Sequence, residues 1–302
     1  MSTTAVILLL ISAFTHAGWN LLSKKEYPTP AFYFVANTFG VVCCLPIIPF
    51  YWSRIPMIPN LVWLFIILSG FFLAAYMIAL AGAYRTGDIS IAYPLARSLP
   101  VIFVFLFTLI GGSGHRLEGW AVLGITLVTA GCMILPMKSW RDFDIINYKN
   151  LCCLLAVMAA FGISGYTVTD NEALRHLRKL PGRPFGPLDA TLMYMVLEGI
   201  SCSIWQFLLA IFSSGERKNM IVVLKNYKGS AVITGLGIYL TYGLVLAAMN
   251  YVTNVSYVAA FRQLSILLGA IFGMALLGEP RYFTKIMGVV IIFIGLILVR
   301  IG

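Results

Sequence analysis

Apolar residues run along this chain in long blocks, not in the short stripes of a water-soluble helix or strand. A bilayer core takes roughly 20 apolar helical residues to cross. Ten blocks approach that length: 4–22, 32–52, 61–84, 89–111, 120–137, 151–169, 190–213, 229–252, 255–277 and 283–301. The pattern predicts an all-α membrane protein with ten transmembrane helices. The first block has no positive charge ahead of it and is too long for a signal-peptide core, so it reads as a retained span. Most links are 2 to 13 residues long, which leaves function to the helices themselves. The long connector, 170–189, carries Arg175, His176, Arg178, Lys179 and Arg183 among Pro181, Pro184 and Pro187. It reads as a basic, proline-rich loop lying against lipid phosphates.

The blocks repeat. At an offset of 147, Ala13, Phe14, Gly18 and Trp19 fall on Ala160, Phe161, Gly165 and Tyr166. At an offset of 164, Ala92, Tyr93, Ala96, Gly114, Gly124 and Gly131 fall on Ser256, Tyr257, Ala260, Gly278, Gly288 and Gly295. The chain therefore divides into two five-helix units, 1–138 and 139–302. Because five is odd, the second unit enters the membrane from the other side. The halves become inverted repeats, the architecture of alternating access. Gly124 and Gly131, like Gly288 and Gly295, are seven apart on one helix face, where a missing side chain lets helices pack closely.

Four segments carry a likeness to a known family: His16-Ala17-Gly18-Trp19-Asn20, Ala92-Tyr93-Pro94-Leu95-Ala96-Arg97, Tyr166-Thr167-Val168-Thr169-Asp170 and Gly278-Glu279-Pro280. On these the chain resembles a ten-helix, EamA-type member of the drug/metabolite transporter superfamily, over essentially its whole length. The resemblance implies transport without naming a cargo, and it implies cytoplasmic termini. That orientation puts more Lys and Arg outside than inside, against the positive-inside rule. The first half departs from the pattern, with Gly114-His115-Arg116 where the second has Gly-Glu-Pro.

Composition narrows the classes. Of 302 residues, 60% are hydrophobic and 11% charged, with mean hydropathy +0.92. A soluble domain carries about a quarter of its residues charged. The net charge of +10 comes from clusters between apolar blocks, as expected beside anionic lipid, and does not indicate nucleic acid. The six cysteines show no C-x-x-C spacing and read as small core residues. No phosphate loop, zinc motif or nucleophile elbow occurs, so a gradient must drive any transport, and neither cofactor nor metal is expected.

Charge deep in a span needs a partner or a pathway. Arg97, Arg262 and Glu198 qualify, while Asp88 and Asp170 are read as lying at helix ends. At about 1.5 Å per residue, both arginines reach roughly 10–12 Å below opposite surfaces, near the midplane. Glu198 neutralises at most one of them. The sharper reading gives the other to a carboxylate or phosphate-like group on the cargo. The plainer one has it capping carbonyls or reaching water. Pro94 and Pro100 predict a kink beside Arg97. Tyr93 and Tyr257 are candidates for lining and gating, or ordinary packing. Trp19 and Asn20 extend a polar stripe with His16, which either accepts the driving proton or stays a neutral core residue. Gln206 and Gln263 are possible extensions of the lining.

The sequence thus predicts a secondary transporter in the inner (plasma) membrane for a small organic anion. Arg97, Arg262, Tyr93, Tyr257, Trp19 and Asn20 would contact cargo, and Glu198 and His16 would serve in pairing or proton coupling. The alternatives are a proton-coupled amine or multidrug exporter centred on Glu198, and a flippase for a lipid-linked carrier. An enzyme would need a second catalytic group beside the single deep acid. Membrane lipid and the cargo are the expected partners. A monomer suffices, and nothing fixes the oligomeric state.

Overall fold

The structure, a computed structural model, describes residues 2–25, 29–86, 89–110, 119–135, 137, 139–140, 149–182, 184–276 and 280–302. Its helices are α1 (Thr3–Lys25), α2 (Pro30–Cys44), α3 (Ile48–Tyr51), α4 (Asn60–Thr86), α5 (Ile89–Ile110), α6 (Gly119–Ile134) and α7 (Leu151–Arg178). They continue with α8 (Pro187–Ile211), α9 (Ser214–Asn226), α10 (Lys228–Ala248), α11 (Val255–Phe261), α12 (Leu264–Leu276) and α13 (Phe283–Ile301). Short 3-10 turns join α2 through α3 to Met57, making one apolar stretch, Pro30–Met57. Six helical stretches are long and apolar enough to cross a membrane, and four shorter apolar segments (Thr3–Trp19, Ala96–Ile110, Gly119–Ile134 and Val255–Leu268) accompany them.

Local chemistry sets several starts. Thr29 accepts from Phe32 N–H at 3.2 Å ahead of Pro30, whose missing donor costs nothing in a first turn. Asn150 caps α7 through Cys153 N–H at 2.9 Å. Ser213 accepts from Glu216 N–H at 3.3 Å to start α9, a helix in a link the hydropathy pattern left blank.

Two expectations are corrected. The sixth span does not stop at Thr169: α7 runs on to Arg178, so Asp170 is interior and the connector shrinks to 179–186. Hydropathy falls at Asp170 because polar residues begin, but Glu, Ala, Leu and Arg there are good helix formers and the turn continues. The ninth span is two helices, parted at Arg262 and Gln263. α5 is helical from Ile89 to Ile110, its two prolines included.

Helix contacts follow the repeat. α4 packs along α7 as α1 packs along α10; α2 meets α10 as α8 meets α4; α5 meets α7 as α12 meets α1. Exchanging the halves, with α1 on α7, α2 on α8, α4 on α10, α5 on the α11–α12 pair and α6 on α13, maps each pair onto its counterpart. α2 with α8 and α6 with α13 map onto themselves. The α6–α13 contact is made by the repeated glycines. A Cβ on Gly124 would stand 2.6 Å from Gly295 O, and one on Gly295 would stand 2.8 Å from Gly124 O, so only glycine permits this approach. The other face of α13 presents Ile286, Val290, Phe293 and Ile297 outward at helical spacing, a surface suited to lipid.

α2 and α8 run antiparallel and are tied at both ends. Beyond the end of α2, Tyr51 O–H and Arg54 Nη1 each donate at 2.9 Å to Asp189 in the first turn of α8. Beyond the end of α8, Glu216 accepts from Ala31 N–H in the first turn of α2 and from Arg85 at the end of α4, each at 3.1 Å.

Candidate functional site

Arg97 on α5 is 8% exposed and donates from Nη2 to His16 Nε2 on α1. A guanidinium has only donors, so Nε2 is the acceptor and the imidazole carries its hydrogen on Nδ1. His16 meets the Trp19 ring edge-on at 4.7 Å, and Trp19 Nε1 donates to Thr241 Oγ1 of α10 at 3.2 Å. His16 and Trp19 therefore orient Arg97 from behind.

Arg262 occupies the gap between α11 and α12. Its guanidinium donates to Tyr166 O–H at 2.5 Å and to Thr167 Oγ1 at 3.3 Å, both on α7, and lies 5.4 Å from the centre of the Tyr166 ring. Thr167 gives its own hydrogen to Ile163 O at 2.6 Å and so is free to accept. Among the described residues, the hydrogen-bond partners of Arg262 are neutral. The three ion pairs among the described residues, Arg54–Asp189, Arg85–Glu216 and Arg175–Glu172, all involve residues toward helix ends.

One small cavity brings the two arginines together. Arg97, Thr167, Arg262 and Gln263 supply its polar lining, with Val104 and Ile163 among the apolar part. It has room for about one water molecule. Gln263, 4% exposed, donates from Nε2 to Ala259 O at 3.2 Å, while its Oε1 has no donor among the described residues. The break in the helix is what brings Arg262 and Gln263 to the wall. Irregular backbone at this depth is tolerated where it borders a cavity.

Glu198 does not pair with an arginine. It is 1% exposed on α8, and neither carboxyl oxygen has a hydrogen-bond partner among the described residues. Counting charges along a sequence cannot say which helix faces meet, and Glu198 faces Asp170, away from the guanidiniums. Asp170, read as a helix-end residue, is 0% exposed and accepts from Ser69 Oγ of α4, from Tyr194 O–H of α8 at 2.8 Å and from Tyr242 O–H of α10 at 2.6 Å. The sequence does carry a signal for it, since Asp170 is four residues after Tyr166 on one face of α7.

Tyr257 is not brought to the cavity. Its hydroxyl donates to Gly302 O at 3.0 Å, and the ring is buried beside the end of α13. Gln206 points to Met77 Sδ of α4 at 3.0 Å. The side chains of Tyr93 and Asn20 lie outside the described residues, as do Gly114, His115, Arg116, Gly278 and Glu279.

The EamA-like transporter family model matches this chain twice, over residues 3–137 and 150–301. No curated protein matches. A solved structure titled "Crystal structure of protein" aligns with 100% of this chain and 98% of its own length at a TM-score of 0.67 and 16% identity, a likeness of fold alone. The two matched segments are the two halves that the helix contacts exchange, and with both present the chain belongs to the EamA-like transporter family, within the drug/metabolite transporter superfamily.

Proposed function

We propose that this protein is an alternating-access secondary transporter with ten crossings and inverted halves, carrying a small organic anion across the inner (plasma) membrane. The observation that carries this reading is that Arg97 of the first half and Arg262 of the second line one cavity at a broken helix. Two guanidiniums offer forked hydrogen bonds to a carboxylate or phosphate-like group. The bare Gln263 Oε1 beside them suits a hydroxyl or amine hydrogen on the same cargo. The cavity's small size fits a closed conformation, and the two end ties joining α2 to α8 fit gates at opposite faces.

The test is uptake and thermal stabilisation with a panel of small carboxylates and phosphate esters, comparing wild type with Arg97→Gln and Arg262→Gln. Each lost charge-assisted bond is worth about 1.5–3 kcal/mol, so affinity should fall roughly 10-fold to 100-fold. If both variants bind and carry anions like the wild type, the anion site is wrong. The cation-exporter alternative is disfavoured by position, since Glu198 lies against Asp170 and is not part of the cavity lining.

A further inference from the structure

The Asp170–Glu198 pair is settled by counting hydrogens. Ser69, Tyr194 and Tyr242 have one hydroxyl hydrogen each, and all three give it to Asp170. Ser69 and Tyr242 also lie beside Glu198, but their hydroxyls are bonded to Asp170, and neither Glu198 oxygen has a hydrogen-bond partner among the described residues. An ionised Glu198 would then be buried with both oxygens unbonded among the described residues, beside a carboxylate to which the three hydroxyls already donate. A buried charge without hydrogen bonds is among the costliest things a protein interior can contain. A protonated Glu198 is neutral, and burying it without partners costs far less than burying the bare carboxylate.

The other groups around the pair do not change that count. Tyr194 and Cys202 face it from α8, and Tyr239 and Tyr242 from α10. α2 offers the neutral amide of Asn37, which accepts from Tyr239 O–H at 3.1 Å and donates to Ser203 Oγ at 2.9 Å. α7 supplies Asp170 and α4 supplies Ser69. The cation whose field reaches Asp170 is Arg262.

Contacts also join the pair to the cavity. Arg262 bonds Tyr166, the Tyr166 ring meets that of Tyr242 edge-on at 6.2 Å, and Tyr242 bonds Asp170. We propose that Glu198, with the hydroxyl-held Asp170 as its neighbour, is a proton-binding site, and that the Tyr166–Tyr242 contact couples it to the arginine cavity. The proton is taken from water when α4, α7, α8 and α10 part, and it rests on a Glu198 oxygen in the closed state. The proton site stands on the hydrogen count alone; only its coupling rests on the anion reading above.

Infrared difference spectroscopy of the purified protein in lipid, stepped in pH, reads this without any cargo. The closed wild type should show the carbonyl stretch of a protonated carboxylic acid, shifting in heavy water. Glu198→Gln, an isostere of the acid form, should abolish the band, and Arg262→Gln should keep it. Tyr242→Phe removes a donor from Asp170 and should move the band's pH midpoint upward by about one unit, a tenfold change in proton affinity. No protonated-acid band in wild type, or a band undiminished in Glu198→Gln, overturns the proton site. Loss of the band on adding sodium at fixed pH overturns it in favour of a sodium site. An unmoved midpoint in Tyr242→Phe overturns the role of the hydroxyls on Asp170, and a midpoint in Arg262→Gln equal to that of wild type overturns the coupling. Should the anion reading fail while the band behaves as expected, the proton site stands by itself.

Discussion

Replacing Gly295 by alanine tests the seam between α6 and α13. The new Cβ would sit 2.8 Å from Gly124 O, 2.8 Å from Val128 N and 2.9 Å from Val128 Cγ2. Two of these three atoms are backbone, so no rotamer change relieves the clash. Ordinary contact begins near 3.4 Å, and the helices must therefore separate by about 0.6 Å along a face packed backbone to backbone. Overpacking of this kind costs about 1–3 kcal/mol. Gly18→Ala is the internal control, since nothing lies within 4 Å of its would-be Cβ. There alanine should be neutral or stabilising by up to about 1 kcal/mol, as at any open helix position. The assay is the folded fraction remaining after heating in mild detergent, read by size-exclusion fluorescence. Gly295→Ala should melt clearly below wild type and Gly18→Ala at or above it. The double variant Gly124→Ala/Gly295→Ala should lose less than the two single losses added, because the first alanine has already forced the helices apart. Equal melting of Gly295→Ala and Gly18→Ala would refute the reasoning.

Arg262→Lys keeps the charge but loses the forked donor set toward Tyr166 and Thr167, and anion binding should weaken about tenfold by titration calorimetry. Gln263→Glu adds a carboxylate between the guanidiniums, and thermal stabilisation by anions should vanish while the protein still folds. Asp189→Asn removes an ion pair whose side chains are each 37% exposed, so stability should fall by less than about 1 kcal/mol in chemical denaturation. The same change should raise thiol-reagent labelling of a cysteine placed at Leu188, and unchanged labelling would show that this tie does not restrain the end of the bundle.

Much of the scaffold was legible because it depends on patterns that a chain repeats. The glycines seven apart in both halves announced a close helix pair, and α6 meets α13 through those positions. The interior acids were less legible. Asp170 begins a polar run, and hydropathy reports a preference for lipid depth, whereas helix continuation depends on backbone bonding and propensity. A polar residue whose partners come from α4, α8 and α10 has no local mark in sequence. The break at Arg262 was hidden for a related reason. No glycine or proline punctuates it; the Ser265 hydroxyl, donating to Arg262 O at 2.9 Å, takes up a carbonyl left at the break.

The ties between α2 and α8 have a mechanical corollary. Two antiparallel rods pinned at both tips cannot splay, but with one tip freed the other becomes a fulcrum, and the rods scissor about it. Asp189 and Glu216 hold opposite tips with different hardware: a phenol and a guanidinium at one, a backbone amide and a guanidinium at the other. Under the alternating-access reading proposed above, the difference in grip between those tips would bias how long the carrier dwells facing each compartment, and a single substitution at either tip would reset that bias without touching the arginine cavity.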